Sequence, residues 1–196
     1  MSDLFKIFLT AFLIDNVVLM RFLALCPFIG MSTDEDKSIG MGLAVTFVTV
    51  LATCVTWPIY KFFLNPEHGR WNLEFLQILV FILIIASLVQ LVEFFLKKSS
   101  PSLYSSMGIY LALITTNCAI LAVTFDVVSN GYTFVQSLVY AVGAALGFLL
   151  SLLLLAGIRK RIRISPVPAF MKGTPILFIA AALLSMAFMG FKGLVQ

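Results

Sequence analysis

Charged residues are scarce in this sequence. Only 11% of its 196 residues are Asp, Glu, Lys or Arg, whereas 61% are hydrophobic, and the mean hydropathy is +1.09. A soluble domain carries about 25% charged residues, and a small globule leaves too much surface exposed to hide this many apolar side chains. The composition therefore excludes an ordinary soluble fold and predicts a protein whose solvent is the lipid bilayer.

Metal-ligating residues are scarce as well. The chain has one histidine, His68, and three cysteines, Cys26, Cys54 and Cys118, with no C-x-x-C pair. A zinc site takes four ligands from Cys, His and carboxylates, so we do not expect one within this chain. A [2Fe–2S] cluster needs four thiolates. One copy of the chain cannot supply them from a symmetric pair of cysteines, but a similar second subunit could complete the set.

Long apolar runs occupy most of the sequence. A helix that spans a bilayer needs about 20 mainly apolar residues, and six windows meet this requirement: 4–28, 39–63, 74–96, 103–125, 133–157 and 174–194. The connectors between them are short, so no sizeable soluble domain fits. We predict an all-α polytopic membrane protein with six transmembrane helices in one domain, residues 1–196.

The distribution of Lys and Arg predicts the orientation of these helices, because cytoplasmic loops are enriched in both residues. With the N-terminus outside, the inner connectors hold eight: Lys37, Lys97, Lys98, Arg159, Lys160, Arg161, Arg163 and Lys172. The outer side holds four: Lys6, Lys61, Arg70 and Lys192. We therefore expect an integral protein of a prokaryotic cytoplasmic membrane with both termini outside. The net charge of +4 suits lipid headgroups, and no nucleic-acid partner is expected.

An internal repeat is suggested by the cysteines. Placing Cys26 over Cys118 superimposes the first span on the fourth and divides the chain into repeats of about 1–98 and 99–196. Repeats of three spans enter the membrane from opposite sides, an inverted topology in which discontinuous helices form sites near the midplane. Pro27 interrupts backbone hydrogen bonding in the first span, and Thr115–Cys118 place polar groups inside the fourth. We predict two inverted three-helix repeats with discontinuous helices 1 and 4.

The residues alone leave the role of the cysteines open. Free cysteines commonly pack as small hydrophobic residues, and we interpret Cys54, which has no symmetric counterpart, in this way. Thr and Asn in the fourth span would then only hydrogen-bond to neighbouring helices. The alternative is that Cys26 and Cys118 hold half of an anionic cluster, which the N-termini of half-helices would stabilise through free N–H groups and partial positive charge.

Ionisable residues within apolar spans are functional candidates by default. Asp15 and Glu93 are our candidates for an ion pathway, although Asp15 could simply cap or pair, and Glu93 could pair with Lys97 four residues later. Arg21 could extend toward the headgroups or place positive charge beside the cluster position. Gly143 and Gly147 form a G-x-x-x-G spacing, which predicts close contact between helices.

Three segments resemble a known family. They are Asp15-Asn16 with Phe22-Leu23-Ala24-Leu25-Cys26-Pro27-Phe28-Ile29-Gly30-Met31-Ser32, then Leu113-Ile114-Thr115-Thr116-Asn117-Cys118-Ala119, and finally Ala187-Phe188-Met189-Gly190-Phe191-Lys192-Gly193-Leu194. They are similar to the small paired membrane proteins RnfA and RnfE of the Rnf complex and to their counterparts NqrD and NqrE in the sodium-pumping NADH:quinone reductase. The Cys-Pro-Phe and Thr-Thr-Asn-Cys forms are nearest to the RnfA branch, and the likeness covers the whole chain. Ala24 departs from the pattern, since glycine is expected there.

The resemblance implies a specific function. Cys26 and Cys118 would bind the iron of half an intramembrane [2Fe–2S] cluster, and a homologous partner, RnfE, would supply the other ligands. Other subunits would complete a complex that couples electron transfer between ferredoxin and NAD⁺ to movement of Na⁺ or H⁺. The chain alone would hold no complete active site, and no flavin is expected on it.

Two other classes of function fit the same residues. One is a small secondary transporter of inverted-repeat architecture, whose discontinuous helices bind an ion or a solute at the membrane midplane. The other is a purely structural protein that supports assembly. Serine at position 26 or 118 should remove an iron–sulfur signal from an electron-transfer protein. It need not stop transport in a transporter, and it should be silent in a purely structural protein.

Overall fold

The computed structural model describes residues 2–32, 35–64, 77–99, 113–168 and 171–193. All regular structure in these ranges is helical, which confirms the predicted all-α class. The helices are α1 (Ser2–Leu9), α2 (Leu25–Met31), α3 (Glu35–Ile59), α4 (Gln77–Ser99), α5 (Cys118–Ser129), α6 (Phe134–Ile164) and α7 (Thr174–Met189). π-Helical turns extend α1 over Thr10–Ile14 and α3 over Tyr60–Leu64, and a 3₁₀ turn, Gly190–Gly193, follows α7.

Three of the described helical segments are long and apolar enough to cross a membrane: Ser38–Phe62, Gln77–Phe94 and Phe134–Ile164. They correspond to the second, third and fifth predicted spans. Leu113–Ser129 and Thr174–Met189 are shorter apolar segments. Positions 103–112 of the fourth predicted span and the loop containing His68 lie outside the described residues. The six-span count and the inverted repeat therefore stay predictions.

Helix α6 is the centre of the packing. It contacts α1, α3, α5 and α7, and its buried positions include Tyr140, Phe148, Leu152 and Leu155. The capping box of Thr133 and Gln136 fixes its start, since these side chains satisfy backbone N–H groups that the first turn leaves free. The helix ends after Arg161 and Arg163, where positive charge suits the C-terminal carbonyls.

Small residues let α1 and its π-helical extension approach α6 closely. A Cβ atom added at Gly143 would lie 3.0 Å from the Phe8 carbonyl oxygen, and one added at Gly147 would lie 2.8 Å from that of Phe12. Since only glycine leaves space at such distances, the prediction that the G-x-x-x-G spacing permits close helix contact is confirmed.

Candidate functional site

The first span is broken in the middle. The π-helical turn ends at Ile14, and the backbone then runs without regular helix from Asp15 to Ala24 before α2 begins at Leu25. A buried interruption of this kind leaves backbone N–H and C=O groups without helical partners, which must find others in a membrane. The predicted discontinuity of helix 1 is thus observed, and it begins twelve positions before Pro27 rather than at the proline itself.

Asn16 supplies several of the missing partners. It is fully buried, and its side-chain oxygen accepts hydrogen bonds from the N–H groups of Val18 and Leu19. Its Nδ2 donates to the Gly147 carbonyl at 2.8 Å. The Ser185 hydroxyl of α7 donates to the Leu19 carbonyl. The broken segment is therefore fixed to both α6 and α7.

Two residues in the break adopt left-handed backbone conformations. Phe22 has φ 53° and Ala24 has φ 58°, a region in which a Cβ atom is sterically disfavoured. Ala24 is also buried, at 1% exposure. This conformation explains why glycine suits position 24, and it turns the chain directly into α2, whose N-cap is Ala24.

Cys26 occupies the first turn of α2, and its side chain is exposed on the surface of the chain. The other end of α2 is held by Arg159 near the C-terminal end of α6. The Arg159 guanidinium donates to the Ile29 carbonyl at 3.0 Å and to the Ser32 hydroxyl oxygen at 3.1 Å. A cation at the C-terminus of a helix satisfies free carbonyls, so Arg159 fixes the position of α2.

Cys118 is the first residue of α5 and is likewise exposed. Residues 113–115 are helical, but Asn117 is extended, with φ −73° and ψ 110°, and caps α5 by accepting a hydrogen bond from the Ala119 N–H at 3.0 Å. Asn is among the best N-cap residues. The chain is therefore interrupted at Thr116–Asn117, where the fourth span was predicted to break.

The two breaks meet in space. The N–H of Ala24 donates a hydrogen bond to the sulfur of Cys118 at 2.8 Å, across 94 positions of sequence. Since Ala24 is two residues before Cys26, the Cα of Cys26 lies within about 7 Å of that of Ala24. The predicted site residues Cys26 and Cys118 thus share one neighbourhood on the protein surface.

α2 and α5 leave this neighbourhood in opposite directions. The far end of α2 meets Arg159, toward the C-terminal end of α6, whereas α5 ends four residues before Thr133, the N-cap of α6. Both half-helices therefore begin near the cysteines and run toward opposite ends of the 31-residue helix α6. Opposed half-helices of this kind are typical of sites near the membrane midplane.

The donor set in the described residues fits half of a four-thiolate cluster. Two sulfurs are exposed at helix starts, and no group of three or more His, Cys, Asp or Glu residues gathers anywhere in the described ranges. A hydrogen bond from a backbone N–H to a cluster sulfur is one of the contacts that tune iron–sulfur centres. The remaining thiolates of a [2Fe–2S] cluster would have to come from another chain.

A network of charged side chains lies beside the break. Arg21 donates to both carboxylate oxygens of Asp126, at 2.8 and 2.7 Å, and to Asp15 at 2.8 Å. The hydroxyl of Tyr140 donates to Asp126 at 3.0 Å. Asp15 forms an ion pair, which is one of the roles predicted for it from the sequence. Arg21 binds two carboxylates and does not extend toward the headgroups. Sequence reasoning missed Asp126 and Tyr140, although an acidic residue in the apolar run of α5 was a usable signal.

Glu93 and Cys54 lie on helices other than those that carry Cys26 and Cys118. Glu93 lies on α4, which packs against α3 and α5. The side chain of its predicted partner Lys97 is not among those described, so that ion pair stays a prediction. Cys54 is partly exposed on α3, and its interpretation as a packing residue also stays a prediction.

A cavity of about 300 Å³ adjoins Cys118 on the side of α4. Ile82, Ile85 and Ala86 form one wall, and residues from Thr115 to Cys118 form the other. Asn117 is only 4% exposed, and its Nδ2 has no hydrogen-bond partner among the residues that the structure describes. Unsatisfied buried donors are uncommon in folded proteins. The Asn117 side chain is therefore available to donate a hydrogen bond to a group bound in the cavity.

Comparison with known proteins places the chain among membrane subunits of redox complexes. It is 53% identical to the A subunit of the ion-translocating oxidoreductase complex of Syntrophotalea carbinolica, over 100% of this chain and 99% of that protein. It is 48% identical to the A subunit of the Na(+)-translocating ferredoxin:NAD(+) oxidoreductase complex of Acetobacterium woodii, over 96% of each chain. Identity to the A subunit of the proton-translocating ferredoxin:NAD(+) oxidoreductase complex of Clostridium ljungdahlii is 43% over the full length of both.

The family match covers nearly the whole chain. The sequence model of the family described as Rnf-Nqr subunit, membrane protein, matches residues 4–195. This range includes both broken segments, both exposed cysteines and the charged network around Arg21. The resemblance expected from three short segments therefore extends over the full sequence, and the chain belongs to the Rnf-Nqr family of membrane subunits.

Proposed function

We propose that this chain is the RnfA-type membrane component of an Rnf complex, a ferredoxin:NAD⁺ oxidoreductase that translocates Na⁺ or H⁺. Its relatives carry these activities in their names, and they match this chain end to end. The other subunits of the complex are its partners. The complex resides in the cytoplasmic membrane, with both termini of this chain outside.

Within that complex, Cys26 and Cys118 supply two thiolate ligands of an intramembrane [2Fe–2S] cluster. The homologous membrane protein RnfE supplies the other two. The observation that carries this proposal is the hydrogen bond from the Ala24 N–H to the Cys118 sulfur, because it brings the two broken segments together. When bound, such a cluster accepts and releases single electrons.

The residues around the sulfurs suit an anionic ligand set. The N-terminus of α5 carries partial positive charge and N–H groups without helical partners, and Cys118 stands at its first position. The Ala24 N–H lowers the electron density on one sulfur by its hydrogen bond, which favours the reduced state. Asn16 and Arg159 hold the flanking backbone, so the two thiols keep their relative positions.

The exposure of both cysteines supports a site shared between two chains. A cluster held by one chain would be enclosed by it, whereas Cys26 and Cys118 lie on the surface of this one. The second protein would cover them, complete the ligand set and exclude lipid. Asp15 and Glu93 are the candidates on this chain for the pathway of the translocated ion. Asp126 is a further candidate, because it shares the partner Arg21 with Asp15.

The decisive experiment uses the purified complex with its RnfE-type component retained. EPR and visible spectra of the reduced complex are compared for the wild type, Cys118→Ser, Cys26→Ser and the control Cys54→Ser. We expect one [2Fe–2S] signal to disappear in the first two variants and to persist in the control. Unchanged spectra in Cys26→Ser and Cys118→Ser would reduce both residues to packing positions and contradict the cluster proposal.

The cavity beside Cys118 favours a second candidate, a secondary transporter with a midplane binding site. Its volume of about 300 Å³ is at the lower end of the range for small-ligand sites, and Asn117 offers an unused donor. This candidate predicts that Cys26→Ser and Cys118→Ser proteins in proteoliposomes still take up the ion or solute without any redox partner. Uptake that needs electron flow, and that stops in both variants, contradicts it.

A further inference from the structure

A second cavity, of about 290 Å³, has neither Cys26 nor Cys118 in its lining. It is found where the C-terminal end of α3 meets the loop between α5 and α6, and we call it the α3-end pocket. Its walls are Trp57, Tyr60 and Lys61 on one side, and on the other Val127 and Val128 of α5 with the residues from Gly131 to Phe134. The pocket borders the ion network, because the ring of Tyr132 lies 5.6 Å from that of Tyr140, which donates to Asp126.

The walls of the α3-end pocket are held by contacts within the chain. Gly131, with φ 62°, turns the backbone between α5 and α6, a conformation that glycine adopts without steric cost. The Trp57 indole N–H donates to the Tyr132 carbonyl at 2.9 Å. The ring of Trp57 also contacts Phe134 edge-on, with centroids 5.4 Å apart. The cavity is therefore a formed feature of the fold.

The helix ends beside the α3-end pocket predict that it lies at the level of the membrane–water interface. The span of α3 ends at Phe62, and the span of α6 begins at Phe134, so both walls belong to the ends of membrane-crossing helices. Trp and Tyr concentrate at this level because their rings are apolar and their polar edges reach water. This pattern is followed by Trp57, Tyr60 and Tyr132. It predicts that the cavity lies among the lipid headgroups.

Lys61 gives the α3-end pocket a positive charge. Its ammonium lies 4.8 Å from the centroid of the Trp57 ring, a favourable cation–π distance. Among the described residues no carboxylate forms a salt bridge with Lys61. The start of α6 at Phe134 adds the partial positive charge of a helix N-terminus. The negative charge of Asp126, the residue before Val127 of the lining, is paired with Arg21. Lys61 and the start of α6 are therefore the features of the pocket that favour an anion.

The surroundings of the α3-end pocket are apolar. Phe62 is 80% exposed and Val135 is 58% exposed, and both adjoin lining residues in sequence. A volume of about 290 Å³ is small among ligand pockets and accommodates a headgroup rather than a whole lipid. Acyl chains leaving the pocket would cover the exposed apolar side chains beside it. This combination distinguishes a lipid from free phosphate.

We propose that the α3-end pocket binds the headgroup of an anionic phospholipid. The Lys61 ammonium pairs with the phosphate, the aromatic rings of Trp57 and Tyr60 contact the glycerol region, and the acyl chains lie along the exposed side chains of Phe62 and Val135. The site is independent of the cysteines and of electron transfer, so the proposal does not rest on the proposed function.

The experiment measures the lipid that the complex retains. The complex purified through this chain is reconstituted in vesicles of one part phosphatidylglycerol to four parts phosphatidylcholine, extracted again in detergent and analysed by mass spectrometry. We expect the retained phosphatidylglycerol to exceed its bulk fraction and to fall about fivefold in Lys61→Gln, the effect of one lysine at an anionic lipid surface. Lys61→Arg should restore it. Lys98→Gln removes another exposed lysine, at the end of α4, and is the matched control.

Four outcomes would overturn the proposal. Retention in Lys61→Gln could equal that of the wild type, or Lys98→Gln could reduce it equally, which would indicate a general effect of surface charge. Competition by millimolar inorganic phosphate could release the retained lipid, which would indicate a site for free phosphate. If Lys61→Gln fails to assemble, the wild-type complex still provides the test, because retention at the bulk fraction contradicts a selective site.

Discussion

Arg21 and Asp126 form a direct ion pair although 105 positions separate them in the sequence, with one guanidinium nitrogen lying 2.8 and 2.7 Å from the two carboxylate oxygens. The pair joins the irregular segment of the first span to α5, the helix that begins with Cys118. Asp15 occupies the other terminal nitrogen of Arg21. One cation therefore fixes both parts of the chain that carry the candidate cluster ligands.

Replacing Arg21 by alanine should destabilise this arrangement more than replacing Asp15 by asparagine. Arg21→Ala leaves two carboxylates close together, and Asp126 is only 14% exposed, so we expect a loss of about 2 kcal/mol in the free energy of unfolding. Asp15→Asn removes one exposed partner and should cost less than about 1 kcal/mol. Thermal melts of the purified complex measure both. Equal effects would mean that the network does not depend on the Asp126 pair.

Residue 24 tests the left-handed turn that leads into α2. Ala24→Gly relieves about 1–2 kcal/mol of backbone strain but removes a buried methyl group worth about 0.8 kcal/mol, so the free energy of unfolding should change by less than about 1 kcal/mol. Ala24→Val places a β-branched residue at positive φ in a buried position. It should lower the yield of assembled complex and any cluster signal. A fully assembled valine variant would contradict the observed backbone conformation.

Two glycines of α6 form a matched pair for testing the contact between α1 and α6. A Cβ at Gly147 would lie 2.8 Å from the Phe12 carbonyl oxygen, whereas one at Gly157 has no neighbour within 4 Å in the described part of the chain. Gly147→Ala should therefore destabilise the protein by about 1–3 kcal/mol, and Gly157→Ala should stabilise its helix by up to about 1 kcal/mol. Thermal melts should shift in opposite directions. A shift of the same sign in both would argue against the close contact.

The N-cap of α5 can be altered without touching a cysteine. Asn117→Ala removes the acceptor for the Ala119 N–H and should cost about 1 kcal/mol, while displacing Cys118 from its contact with Ala24. Asn117→Ser keeps a capping oxygen and should preserve both stability and the cluster spectrum. The readout is the line shape of the EPR signal of the complex together with its melting temperature. A normal spectrum in the alanine variant would show that capping does not position Cys118.

The predicted orientation can be tested by labelling. Asn130 lies in the loop before α6 and Arg163 lies at the other end of that helix, and both are exposed. In intact cells, a membrane-impermeant maleimide should label Asn130→Cys but not Arg163→Cys, because basic residues favour the cytoplasmic side. Permeabilised cells should label both, which controls for reactivity. The reverse pattern in intact cells would place the termini inside.

Some properties of this protein are determined by the sequence directly. The apolar composition requires a membrane environment, and the G-x-x-x-G spacing in α6 permits close packing of helices. The polar residues Thr115–Cys118 predict a break in the fourth span, because an apolar membrane helix would avoid them. These signals are local, since each depends on residues near one another in the chain. The family likeness could be recognised for the same reason, from short segments around Cys26 and Cys118.

Only the tertiary structure decided how the local signals combine. The break in the first span begins after Ile14 because Asn16, Leu19 and Arg21 form hydrogen bonds to residues of α6, α7 and α5, respectively, and none of those partners is near them in sequence. Asp126 became part of the site only when α5 was placed beside Arg21. The contact between Ala24 and Cys118 likewise spans 94 positions. Such long-range pairings depend on packing between helices, which the order of residues along one helix does not specify.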